Sequence, residues 1–166
     1  RIKMEVYFDN AATTRCSEGV KEIVVRAMSE DYGNPSSLHL KGLEGEHYIK
    51  EAKKCICKTL KISDTELIFT SGGTESNNLA IIGSALANKR NGMHLVTTRI
   101  EHPAVSNPMK YLEEQGFQVT WLEVDKDGIL SLEQLEQSIT PDTILVSIMY
   151  VNNEIGAVEP IAEAVK

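Results

Sequence analysis

His94-Leu-Val-Thr-Thr98 is a five-residue apolar and β-branched run, and it breaks at once into the polar turn Arg99-Ile-Glu-His102 before Pro103. Such a run reads as a strand, and Pro103 stands where the first turn of a helix begins. Gly116, after Leu112-Glu-Glu-Gln115, reads as that helix's stop. A second run, Gln118–Val124, follows directly, and a third, Thr143–Met149, comes after Ser131-Leu-Glu-Gln134, which fits a capping box. The runs His94–Thr98 and Thr143–Met149 contain enough apolar residues for burial on both faces, as in central parallel strands. Upstream, Leu67–Thr70 and Glu5–Phe8 have the same composition and are expected as strands. Between the runs lie helical spacings, Ile49, Ala52, Ile56 and Leu60, then Leu79, Ile82 and Leu86. Pro160 marks a further helix start. Strands alternating with helices predict parallel pairing and an α/β architecture.

Composition narrows the function. The chain has 166 residues, 42% hydrophobic and 25% charged, with a formal net charge of -7. That balance fits a globular domain or a large part of one. Acidity argues against nucleic acid or an anionic membrane as the main partner, since phosphate backbones are held by clustered Lys and Arg. Cys16, Cys55 and Cys57 are an odd, sparse set, which speaks against a disulfide framework and for a reducing cytoplasm. No apolar run approaches the ~20 residues that span a bilayer. The sequence stops at Ala162-Glu-Ala-Val-Lys166, inside what reads as a new helix, so it is expected to be part of a longer chain.

Three polar turns are candidates for chemistry. Thr70-Ser-Gly-Gly-Thr-Glu-Ser76 joins a strand-like run to a helical one. Its glycines permit close backbone approach, and the free amides of a helix start suit a phosphate. The alternative is a plain turn capped by Ser and Thr. It is neither a Walker loop nor a dinucleotide fingerprint. His102, just after the strand His94–Thr98, can stack on a flat ring or move protons near neutral pH, or simply cap a helix. Val151-Asn-Asn-Glu-Ile-Gly156 follows Thr143–Met149 and offers uncharged donors and acceptors, or an Asx turn. If the strands are parallel, all three turns lie at one edge of the sheet, where α/β proteins gather ligands. Cys55 and Cys57 diverge on a helix and make a poor metal site; no metal is expected. His39 and His47 read as loop and surface residues, Trp121 as core, and Gly33-Asn-Pro-Ser-Ser37 as a hinge or site loop.

These segments match a known family. Tyr7-Phe-Asp-Asn-Ala-Ala-Thr-Thr14, Tyr32-Gly-Asn-Pro-Ser-Ser37, Ile68-Phe-Thr-Ser-Gly-Gly-Thr-Glu-Ser-Asn-Asn-Leu-Ala80, Glu101-His102 and Ile144–Gly156 together resemble the cysteine desulfurases of the class V aminotransferase superfamily. The resemblance implies the large domain of a fold type I pyridoxal-phosphate enzyme: an incomplete three-layer α/β sandwich with a mainly parallel sheet. It implies an arm over residues 1–15 associated with a smaller domain, and the first part of the cofactor-binding domain over 16–166. It further implies that Gly73 and Thr74 meet the phosphate of pyridoxal 5'-phosphate. His102 would stack on its ring as a catalytic proton carrier, and Asn153 would lie beside its ring oxygen.

The family reaction takes sulfur from L-cysteine, leaving alanine and a persulfide on an enzyme cysteine. The sulfur then passes to an acceptor such as an iron–sulfur scaffold protein or to tRNA thiolation. A cytoplasmic homodimer is implied. The 166 residues contain no Ser-x-His-Lys segment for the cofactor-holding lysine. The family's pyridinium-pairing aspartate and sulfur-accepting cysteine also lie later in the chain, so the isolated stretch is expected to be inactive. The competing expectations are a selenocysteine lyase or other class V enzyme, and a truncated, partner-binding product.

Overall fold

The computed structural model describes residues 6–165. They fall into two compact units, Arg1–Phe69 and Thr70–Lys166.

The first unit is helical. Helix α1, Glu18–Ser29, begins where the Ser17 side chain accepts the Val20 amide, and Glu18 and Arg26 sit at the ends where the helix dipole favours their charges. Helix α2, Leu40–Leu60, is capped by His39, whose Nδ1 accepts the Gly42 amide at 3.2 Å. The Gly33–Ser37 loop, expected as a hinge or site loop, lies backbone to backbone on α2. A Cβ on Gly42 would strike the Ser37 carbonyl, so the close approach requires glycine there. Asp31 ties the two helices together: Tyr48 donates to it at 2.6 Å and Arg26 pairs with it at 3.0 Å. The Tyr48 hydrogen bond, with the two cations beside it, holds the Asp31 carboxyl below its ordinary range.

Two expected strands are not strands. Residues 6–8 and 67–70 have no regular structure; Glu5 lies outside the described residues. A strand exists only through a ladder partner, and none among the described residues pairs with either run. The stripe Ile49, Ala52, Ile56, Leu60 does lie on a helix, yet only Ile56 is half-buried.

The second unit is a three-layer α/β sandwich. Its parallel sheet contains β1 (His94–Thr98), β2 (Gln118–Leu122) and β3 (Thr143–Ser147), in the spatial order β2-β1-β3. Central β1 is buried along its whole length. Alternate residues face opposite layers. Leu95 packs with Ile81 and Ala85 of α3 (Gly73–Asn88) and with Val105, Met109 and Leu112 of α4 (Pro103–Glu114). Val96, its neighbour, packs on the other side with Leu130, with Leu135 of α5 (Leu132–Ser138) and with Ala164 of α6 (Ile161–Ala164). Leu79 and Leu86, whose spacing marked the helix, are exposed; α3 turns Ile81 and Ala85 to the core. Ser131 caps α5 by accepting the Gln134 amide. Gly116 closes α4 with φ 91, a left-handed value that favours glycine. Trp121 packs against the core and donates to Glu113 at 3.1 Å.

His94, at the start of β1, is buried and bridges all three strands. Its Nδ1 meets the Thr143 hydroxyl at 2.7 Å and its Nε2 the Thr120 hydroxyl at 2.8 Å.

Candidate active site

Because β1 and β3 run parallel, the turns leaving them emerge at the same edge of the sheet. That edge forms a cleft of about 320 Å³, lined by Arg99 to Pro103 on one side and Asn152 to Ile155 on the other. The volume sits at the low end of small-molecule pockets. His102 and Asn153 both line it. Of the three turns expected at one edge, these two share the cleft.

His102 is the N-cap of α4, with Nδ1 accepting the Ala104 amide at 3.0 Å. In the neutral ring the proton then sits on Nε2, which the cap leaves for a ligand. Capping, the modest reading of this histidine, therefore uses one nitrogen only. The tandem asparagines divide in the same way. Asn152 is buried and makes the Asx turn, its Oδ1 accepting the amides of Glu154 and Ile155 at 2.9 and 3.0 Å. Asn153 is exposed beside it.

Gly73 and Thr74 do not line this cleft. They open α3, which has no side-chain cap, and a Cβ on Gly72 or Gly73 would meet nothing within 4 Å. Helix α3 leads into β1 through the short connection 89–93. An uncapped helix start with open space above it fits a phosphate. The neighbouring loop is ordered: Ser71 donates its amide and hydroxyl to Glu75 at 2.7 and 2.6 Å, and the Thr70 and Ser76 hydroxyls meet at 2.6 Å. The Ser71 hydrogen bonds hold the Glu75 carboxyl below its ordinary range. The residues present could hold a phosphorylated ring compound: the uncapped start of α3 suits a phosphate, and an imidazole and an amide stand on the cleft walls.

Two acidic residues near this edge were given no role in the sequence. Glu101 is half-buried; its Oε1 accepts the Met149 amide at 2.6 Å and the Thr98 hydroxyl at 3.2 Å. Burial pushes its carboxyl above the ordinary range, against the pull of those two donors, and the nearby Glu159 carboxylate pushes it the same way. Glu159 is itself buried, with Oε2 accepting the Leu130 amide at 2.9 Å and Oε1 unpartnered. In the sequence Glu101 stood out only as half of the Glu101-His102 pair that carries the resemblance, and Glu159 not at all. A larger cleft of about 510 Å³ lies around Asp125, walled by Glu123, Glu133 and Gln137; it contains none of the candidate residues. Among the described residues no group of three His, Cys, Asp or Glu could hold a metal ion. Cys55 is exposed and Cys57 buried. No helix is long and apolar enough to cross a membrane among those described.

Residues 6–166 match the family described as aminotransferase class-V. The chain is 47% identical over 165 residues to cysteine desulfurase IscS of Dictyoglomus turgidum, covering 99% of this chain and 42% of that protein. Among solved structures it is similar to a NifS-like protein, with a TM-score of 0.93 and 41% identity, covering 98% of this chain and 44% of the other. It is also similar to SspA in complex with cysteine, with a TM-score of 0.88 and 41% identity, covering 95% and 46%. The chain thus spans about two fifths of the length of the curated relatives it matches.

Proposed function

The chain belongs to the aminotransferase class-V family, and from that premise we propose that it forms the cofactor-binding part of a pyridoxal-phosphate-dependent cysteine desulfurase. Residues 1–15 would be an arm associated with a smaller domain, and 16–166 the first part of the large domain. The observation that carries the reading is the sharing of one cleft by His102 and Asn153, two turns after two parallel strands. The similarity to curated desulfurases along nearly the whole chain supports it, as does the solved relative described in complex with cysteine.

The cofactor, when bound, supplies an electron sink for chemistry at the amino acid's α-carbon and β-carbon. This chain's residues do the rest of the work at this edge. The open amino end of α3 at Gly73 and Thr74 would hold the phosphate with backbone amides and the Thr74 hydroxyl. His102 would stack on the ring, with its Nε2 available to hold or move a proton. The Asn153 amide would lie beside the ring oxygen. No role in sulfur transfer is assigned to the Cys16, Cys55 and Cys57 thiols; the family's sulfur-accepting cysteine and cofactor-holding lysine would come from other stretches of the whole protein. That whole protein would act as a cytoplasmic homodimer, passing sulfur as persulfide to an acceptor such as an iron–sulfur scaffold.

Incubating the full-length protein with L-cysteine and pyridoxal phosphate tests the reading. Alanine and sulfide should appear in equal amounts when a thiol reductant is present. Turnover of another amino acid, with no alanine from cysteine, rejects it.

A further inference from the structure

The two cleft walls are joined by reciprocal hydrogen bonds far apart in sequence. Glu101 Oε1 reaches across to the Met149 amide at 2.6 Å. In the opposite direction Asn152 Nδ2 donates to the Ile100 carbonyl at 3.0 Å. Each clamp residue directly precedes a cleft residue, Glu101 before His102 and Asn152 before Asn153. Both ends are anchored in their own loops. Glu101 also accepts from Thr98, the last residue of β1. Asn152 holds its loop closed through the Glu154 and Ile155 amides, while the Asn152 amide donates to the Ala157 carbonyl at 2.8 Å. Neither side chain needs to touch a ligand to set where its neighbour stands.

We infer that Glu101 and Asn152 are positioning residues, a two-way clamp that fixes the spacing between His102 and Asn153 and so preforms the slot for a flat ring. The inference rests on the proposed cofactor reading. The physical ground is preorganisation: a slot held at the bound spacing before the ligand arrives costs less to fill. Met149 is half-buried and its amide has no second acceptor among the described residues, so loss of the carboxylate leaves it unsatisfied unless the loop moves. The clamp uses Oε1 for both of its contacts. A glutamine keeps that acceptor and an alanine removes it, so the two substitutions separate geometry from charge.

The test uses the full-length protein freed of cofactor, in three forms: unaltered, Glu101→Ala and Glu101→Gln. Hydrogen exchange at the Met149 amide is read first, without ligand. It should quicken in Glu101→Ala and stay near the unaltered rate in Glu101→Gln; an unchanged rate in Glu101→Ala overturns the clamp whatever the cofactor. Titration with pyridoxal 5'-phosphate follows, monitored by visible circular dichroism, which reports how the ring is held. Glu101→Ala should weaken binding by about tenfold, the size expected for one lost buried hydrogen bond, and reduce the dichroic band. Glu101→Gln should remain within about twofold. Equal binding by all three, or a Gln form as weak as the Ala form, overturns the proposal. If the unaltered protein binds no pyridoxal phosphate, the cofactor reading fails and this inference falls with it. Should Glu101→Ala not fold, Asn152→Asp keeps the turn-closing oxygen and removes the donor to Ile100. The same weakening is expected, and unweakened binding overturns the clamp.

Discussion

Nδ1 of His102 is committed to the Ala104 amide, so one side chain combines a helix cap with the proposed chemistry. The two can be separated. His102→Ala should lose about 1 kcal/mol of folding stability, the usual cost of a removed N-cap, together with desulfurase activity. His102→Asn restores the cap, so its denaturation midpoint should recover while turnover does not; recovery of both would dissociate His102 from the reaction. Glu101 makes a second prediction, in pH. Burial raises its carboxyl, so above the ordinary carboxylate range the folded chain binds more proton than the unfolded one. Stability from this group therefore falls as pH rises through that window. Glu75 and Asp125, both held low by hydrogen bonds, act oppositely: their contribution is present above the ordinary range and fades as pH drops through their lowered values. Glu101→Gln removes only the first effect. The stability difference between the unaltered protein and this variant should shift toward the unaltered protein between about pH 7 and about pH 5, as chemical denaturation at both values will show. A constant difference would mean that Glu101 titrates normally.

At the level of elements, the amino end of α3 is the most exposed to test. Its first turn already holds Glu75, whose carboxylate is folded back onto Ser71; a second carboxylate at residue 74 is stabilising by about 0.3–1 kcal/mol but repels a bound phosphate. Thr74→Asp in the full-length protein should therefore raise the melting temperature slightly while weakening pyridoxal phosphate binding at least about tenfold. Binding that survives the substitution would remove the phosphate from α3. Which elements could be read from sequence follows from what fixes them. β1 was legible to its exact bounds in His94–Thr98, because an unbroken apolar and β-branched run between turns leaves little choice. Residues 67–70 have similar composition but no partner strand among the described residues, and composition does not reveal partners. Helix α3 was legible as a helix from the spacing of Leu79, Ile82 and Leu86, yet the residues it buries are Ile81 and Ala85, because it is apolar on several sides. Among site residues, His102 and Asn153 were legible as polar groups just after strands. Glu101 and Asn152 were not, since their roles arise from pairings 48 and 52 residues distant.

Taken as a whole, the molecule buries its apolar surface unevenly. Thr70–Lys166 has cores on both sheet faces. Among the described residues of Arg1–Phe69 only Gly42, Gly45 and Cys57 are buried, while Val20, Ile23, Val24, Val25 and Met28 of α1 are exposed. Contiguous apolar patches of this kind are rare on free-standing domains. The 166-residue chain expressed alone should bind a hydrophobic dye, self-associate on gel filtration and release no alanine from cysteine. A monodisperse, dye-silent monomer would contradict the exposure described for α1. The sheet itself puts its two histidines to contrasting uses. At its amino-terminal rim His94 has both ring nitrogens occupied by threonines of the flanking strands; it behaves as mortar. At the opposite rim His102 keeps one nitrogen unspent. A chemist seeking to relabel, alkylate or ligate a metal complex to this protein through imidazole should thus find the two histidines unequal, with His102 reacting and His94 silent until the strands part.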